Sequence, residues 1–192
     1  MNRTMTLGLA LASLVASEFA LPAAAYAEPA GGRALVLRKD EGDWRLRRPR
    51  AAGVQPASAS SLIVKVSPEL GGSPNFFMAY EEIAPGGEIP AHRHRSYDEI
   101  LFVHRGEGLA SLGERAAPVA EGATIYIPAA TRVGLRNTGK SPLQVVFIFP
   151  HPEKVAAYYA DLTVRKGEAA EPMTAEDLRA LREKHRDHIE FE

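Results

Sequence analysis

From Leu62 to Phe149 the apolar residues fall in short runs separated by Gly, Pro and Asn. That punctuation belongs to an antiparallel all-β domain. The pattern predicts strands at Leu62 to Val66, Asn75 to Ile83, Glu99 to Val103, Gly108 to Leu112, Thr124 to Ile127, Val133 to Asn137 and Leu143 to Phe149. Gly71-Gly72 and Pro85-Gly86-Gly87 supply turns between them. A further short strand is expected at Ala34 to Leu37. No alternation of strands with helices is present, which argues against a doubly wound parallel sheet. Beyond Phe149 the period changes to that of helix, at Glu153 to Leu162 and from Ala175 to about His185. Thr174 and Asp177 have the spacing of a capping box, and Met173 can meet Leu178 as a hydrophobic staple. This helix is expected to pack on the outside of the β-domain, with His185 and His188 at a solvated end.

The first 27 residues have a different character. Arg3 precedes an apolar stretch from Met5 to Val15, and Ala25-Tyr26-Ala27 offers small residues for cleavage. This reads as a secretory signal peptide, cleaved after Ala27. Glu18 interrupts the run before it reaches the roughly 20 residues that span a bilayer. The expected destination is the periplasm or the exterior, with no membrane attachment after cleavage. Residues 28–61 read as a short strand and a flexible arm, in which Arg45, Arg47, Arg48 and Arg50 surround Trp44 as solvated charges or as a clasp on a second subunit. Residues 62–150 form the β-domain and 151–192 a helical extension. The 192 residues suit one such core.

Composition restricts the chemistry. A formal net charge of -1 and an ordinary apolar fraction give no sign of nucleic-acid binding. The chain has no cysteine, so a metal would have to be held by His, Asp, Glu or backbone oxygen. His92 and His94 sit at alternate positions, which on a strand places both side chains on one face with Cα atoms about 6.6 Å apart. Glu99, after a four-residue bend, can bring a neutralising carboxylate from the next strand. Two imidazoles and one carboxylate make a three-ligand face with open positions, as in non-heme iron and catalytic zinc sites. His104, five residues from Glu99, takes the opposite parity and is expected to face outward or to lie at the rim.

These residues stand in the order Gly86, His92, His94, Glu99, Gly106, or G-x5-H-x-H-x4-E-x6-G. In that form the segment resembles the first signature motif of the cupin superfamily. The second motif is partly matched: Gly122, Pro128 and Asn137 are present, Ala130 stands where a glycine is usual, and Val133 occupies the place of the fourth ligand, commonly His. The turn-rich opening at Ser67 to Gly72 and the helical tail are similar to small bacterial cupins of the quercetin-dioxygenase-like group. The resemblance implies a double-stranded β-helix (jelly-roll) barrel and His92, His94 and Glu99 as ligands of a divalent Fe, Mn, Ni, Cu or Zn ion. It also implies a homodimer.

The resulting expectation is an exported, metal-dependent enzyme of dioxygenase type acting on a small organic molecule, with Glu99 also in a catalytic role. Tyr80, Tyr126, Arg132, Val133 and Phe147 are candidate substrate-pocket residues. Two other readings are a non-catalytic periplasmic protein that binds a small molecule or metal, and a metal-free isomerase or lyase using a His as base.

Overall fold

The computed structural model describes residues 32–54 and 60–191. The signal segment lies outside the described residues. Twelve strands among the described residues form two antiparallel sheets. The larger contains β1 (Asp43–Arg47), β2 (Ser60–Val66), β3 (Phe76–Ile83), β5 (Glu99–Arg105), β8 (Thr124–Ile127), β10 (Leu143–Pro150) and β11 (Thr163–Arg165), in the order β11-β1-β2-β3-β10-β5-β8. The smaller contains β4 (Glu88–His94), β6 (Glu107–Leu112), β7 (Arg115–Ala120), β9 (Arg132–Asn137) and β12 (Ile189–Phe191), in the order β12-β4-β9-β6-β7. The helices are α1 (Pro152–Leu162) and α2 (Ala175–Lys184). No helix among the described residues is long and apolar enough to cross a membrane.

Side-chain alternation builds the core between the sheets. Phe77, Ala79 and Ile83 of β3, Leu101 and Val103 of β5, Val133 and Leu135 of β9, and Phe147 and Phe149 of β10 all face inward and are buried. Burying each large apolar side chain contributes about 1.5–3 kcal/mol, so this layer carries most of the fold's stability. Tight turns fix the register. Gly106 has φ 91°, and a Cβ there would stand 2.8 Å from the Pro142 carbonyl oxygen, so glycine is required. Asn137 is buried at the end of β9; its Nδ2 donates to the carbonyls of Ile83 and Ser141, and its Oδ1 accepts from the Gly139 amide. One side chain thereby joins three strand ends. Ala130 adopts φ 63° and its amide donates to the His94 carbonyl at 2.6 Å, so the usual glycine position keeps its left-handed backbone without glycine.

Several sequence expectations need correction. Ala34 to Leu37 is not a strand, because no strand pairs with it, and Val36 projects into solvent. The arginine-rich arm is not free: Asp43–Arg47 is β1, paired with β2 and β11. Trp44 there donates to the Asp40 carbonyl and carries Lys166 over its ring at 4.6 Å. The strand β7, with Pro118, occupies a sheet edge where proline removes no needed donor. The capping box forms as expected, with Asp177 N donating to Thr174 Oγ1 and Thr174 N to Asp177 Oδ2. The helix packs through Leu181 and Leu178 into a second apolar cluster with Tyr158, Leu162, Met173 and Ile189.

His185 and His188 are buried rather than solvated. His185 Nε2 lies 2.6 Å from Asp161 Oδ2, His185 Nδ1 lies 3.1 Å from His188 Nε2, and His188 Nδ1 lies 3.1 Å from the Tyr97 hydroxyl. A carboxylate only accepts, so with both rings neutral every proton in the chain points toward Asp161. His185 donates to Asp161, His188 donates to His185, and Tyr97 donates to His188. The charged residues around the helix end concealed this network, whose partners are distant in sequence.

Candidate metal centre

β4 lies between β12 and β9, with His94 opposite Ile189, and His92 opposite Phe191 on one side and Val133 on the other. A strand held on both flanks cannot swing its side chains out of place. β5 begins at Glu99, which faces inward at the head of the Glu99-Leu101-Val103 row. The His92, His94 and Glu99 ligand atoms all lie within 4.8 Å of one another, and all three residues are buried.

The finer geometry suits a single ion. His92 Nε2 and His94 Nε2 are 3.3 Å apart, and His94 Nε2 and Glu99 Oε2 are 3.3 Å apart. Ligand atoms held about 2.0–2.2 Å from one ion in tetrahedral or octahedral arrangement stand about 3.0–3.5 Å from each other. His92 Nδ1 is 2.8 Å from the Pro90 carbonyl, which can only accept, so its proton is on Nδ1 and Nε2 presents a lone pair. Glu99 Oε2 is buried without a hydrogen-bond partner, as is His94 Nδ1. The 3.3 Å contact between Glu99 and His94 therefore lacks hydrogen-bond geometry.

Protonation follows from burial. Desolvation lowers the His92 pKa, assisted by neighbouring His94, and pushes His94 down to about 4. Both imidazoles are thus neutral and able to ligate near pH 7. Desolvation also pushes Glu99 up to about 7, with His92 opposing and Glu81 reinforcing the rise. An uncompensated carboxylate at this point is unfavourable, and a cation would remove the penalty. The donor set, the spacing and the orphaned carboxylate oxygen all fit a divalent metal.

Around these residues is a small cavity of about 40 Å³. Its apolar lining includes Phe147, Phe149 and Val155, and Tyr158, Tyr159 and Phe191 stand around it as well. Phe191 stacks on His92 with ring centroids 5.6 Å apart, and Tyr97 stacks on His94 at 4.9 Å. Arg47 and Glu81 also line the cavity and form an ion pair at 2.7 Å. Burial would lower the Arg47 pKa, but the Glu81 charge overrides it and raises the value above the ordinary one.

Of the residues predicted for the substrate pocket, Phe147 lines the cavity, and Val133 is buried in the core opposite His92, with no ligand atom. Tyr80, Tyr126 and Arg132 do not line it. Tyr80 has the outward parity of β3 and meets His104 edge-on over a surface groove. Tyr126 is exposed and donates its hydroxyl proton to Asp98. Arg132 precedes Val133 and so takes the opposite face of β9. His104 is exposed and faces outward, in the surface groove with Tyr80. Sequence reasoning missed Arg47, Glu81 and the C-terminal aromatic cover. Glu81 left a trace, because it holds an inward position in the row Phe77-Ala79-Glu81-Ile83.

Two antiparallel sheets enclosing a His-x-His strand and an inward Glu define a jelly-roll barrel with a metal-type pocket. Residues 79–149 match the family described as Cupin domain. It is 33% identical over 90 residues to auxin-binding protein 1 of Arabidopsis thaliana, covering 42% of this chain and 45% of that protein. It is 36% identical over 67 residues to an uncharacterised protein of Methanocaldococcus jannaschii, covering 34% of this chain and 54% of that one. The matches thus span about half the length of these curated relatives. A crystal structure from Thermotoga maritima, described as a predicted oxalate decarboxylase, superposes with TM-score 0.51 at 19% identity, covering 60% of this chain and 98% of that one. This last likeness concerns the fold.

Proposed function

We propose that this chain is an exported metal-dependent enzyme acting on a small organic molecule, of dioxygenase type, at the centre formed by His92, His94 and Glu99. The observation that carries the reading is the convergence of three buried ligand atoms within 4.8 Å, with valine in the place of a fourth ligand. A divalent ion bound there would supply Lewis-acid or redox chemistry. The protein's own residues do the rest. His92 is oriented by the Pro90 carbonyl, Phe147, Phe149 and Phe191 exclude bulk water, and Glu99 gives up its proton to bind. Elemental analysis of the aerobically purified protein tests this: about one equivalent of Fe, Mn, Ni, Cu or Zn is expected, and none in His92→Ala. Oxygen uptake with small phenolics, lost in Glu99→Ala, tests turnover. A metal-free wild-type protein would refute the reading.

The cavity volume favours a second reading, a module that binds metal without turnover. A space of about 40 Å³ holds an ion and one or two waters, whereas pockets for organic ligands usually measure about 300–1,000 Å³. Metal stoichiometry without oxygen uptake would select this reading. Export rests on the signal-like first 27 residues, and N-terminal sequencing of secreted material beginning at Glu28 would support it. Pairing as a homodimer is supported by Ile100, Phe102 and Tyr126, exposed on the outer sheet face, and is checked by light scattering.

A further inference from the structure

The metal ligands occupy one wall of the cavity, and a second carboxylate lines the same space. Glu81 comes from the middle of β3 and is only 1% exposed. Its Oε1 accepts from the Arg47 guanidinium, while its Oε2 is buried with no hydrogen-bond partner among the described residues. A buried carboxylate oxygen without a donor is unfavourable, because it has left water with nothing in return. The barrel retains this cost at a position whose neighbours in the inward row, Ala79 and Ile83, are apolar.

Glu81 is not one of the ligand atoms that lie within 4.8 Å of one another, so it is not a direct ligand in this arrangement. It nevertheless lines the same cavity as His92, His94 and Glu99. Charge counting points the same way. Glu81 and Glu99, when ionised, place two carboxylates around one buried cavity, and a divalent cation there would offset their repulsion.

We infer that Glu81, held by Arg47, is the outer support of the metal centre: its Oε2, in the cavity it shares with His92, His94 and Glu99, would accept a hydrogen bond from water beside a bound ion. The inference rests on the metal reading and adds a residue that neither signature motif contains. Arg47 belongs to it as a positioning residue, fixing Oε1 so that Oε2 stays turned to the cavity. Outer-sphere carboxylates of this kind change metal affinity about 10–100-fold when removed.

The test titrates metal-free protein with Mn(II), followed by calorimetry and by electron paramagnetic resonance. Wild type is expected to take one equivalent. Glu81→Gln should bind 10–100-fold more weakly and show an altered Mn(II) spectrum, with His92, His94 and Glu99 still in place. Because Glu81→Gln removes the carboxylate that pairs with buried Arg47, a second variant, Arg47→Met with Glu81→Met, replaces the pair by apolar side chains that such sites tolerate. It should fold, as judged by circular dichroism, and show the same loss; if Glu81→Gln fails to fold, this variant decides. Wild-type affinity and spectrum in a folded variant would overturn the inference while leaving the metal centre intact. No Mn(II), Fe(II) or Zn(II) binding by wild type would overturn both.

Discussion

Val133→His probes the centre most directly. Val133 is buried and stands opposite His92 in the register of β4 and β9, where facing residues are about 4.5–5.5 Å apart between Cα atoms. The larger ring enters a filled core, so the metal-free variant should lose about 1–3 kcal/mol. For a chain of this length that lowers Tm by about 2–12 °C. The new imidazole would also stand beside His92, within reach of an ion bound at the proposed centre. A tenfold tighter Kd adds about 1.4 kcal/mol at fixed metal concentration, which returns about 3–6 °C. Thermal unfolding with and without Mn(II) or Zn(II) separates the two effects: the variant should start lower and rise further than wild type. An equal metal-induced rise in both proteins would refute the placement of Val133 on the ligand side of β9.

Metal uptake below pH 7 should release the Glu99 proton, since burial holds this carboxyl up to about 7. Affinity should therefore increase about tenfold per pH unit up to about 7 and then level off, whereas His94, at about 4, does not limit binding in that range. Calorimetry across pH 5 to 8 reads the slope, and an affinity that stays flat over that range would contradict it. Asn137→Ala should cost about 2–4 kcal/mol in urea unfolding, because it strands the Ile83 and Ser141 carbonyls and the Gly139 amide together. A loss below 0.5 kcal/mol, on the scale of about one weak surface contact, would mean water replaces all three bonds. Ala130→Gly relieves left-handed strain of about 1–2 kcal/mol against an unfolded-state entropy cost of about 0.4–1 kcal/mol, so its Tm should be unchanged or higher.

The barrel and its ligand strand were readable because their cause is local. Alternation along Glu99-Leu101-Val103 and Leu143-Val145-Phe147-Phe149 is written in adjacent residues, as is the shared parity of His92 and His94. What stayed hidden depends on partners far away in the chain. Asp43–Arg47 has too many charges to read as a strand, and becomes one because β2 and β11 flank it and Glu81 receives Arg47. Ile189–Phe191 is three residues long, and only β4 gives it a ladder. Tyr80 and Tyr126 were plausible pocket residues by type, but parity turns them outward. A single uncertain register step decides such cases.

The hidden strand β12 bears on function more than its length suggests. Without it β4 would be an edge, and the two histidines would sit on a strand held from one side. With it, His92 and His94 are each paired to a residue of β12, and Phe191 and Ile189 also line the cavity. The segment just before β12 is fastened by the chain from Tyr97 through His188 and His185 to Asp161, and by the Arg95 amide donating to the His188 carbonyl. The hold on the ligand strand and part of the cavity lining therefore have the same cause. Admitting an organic molecule larger than the present space requires the cover to move, and moving β12 releases one flank of the ligand strand. An enzyme built this way would hold its metal less firmly with substrate bound than without it, whereas a module that only stores metal would keep both properties together. Metal affinity measured with and without a bound organic ligand is thus the quantity on which the two functional readings diverge.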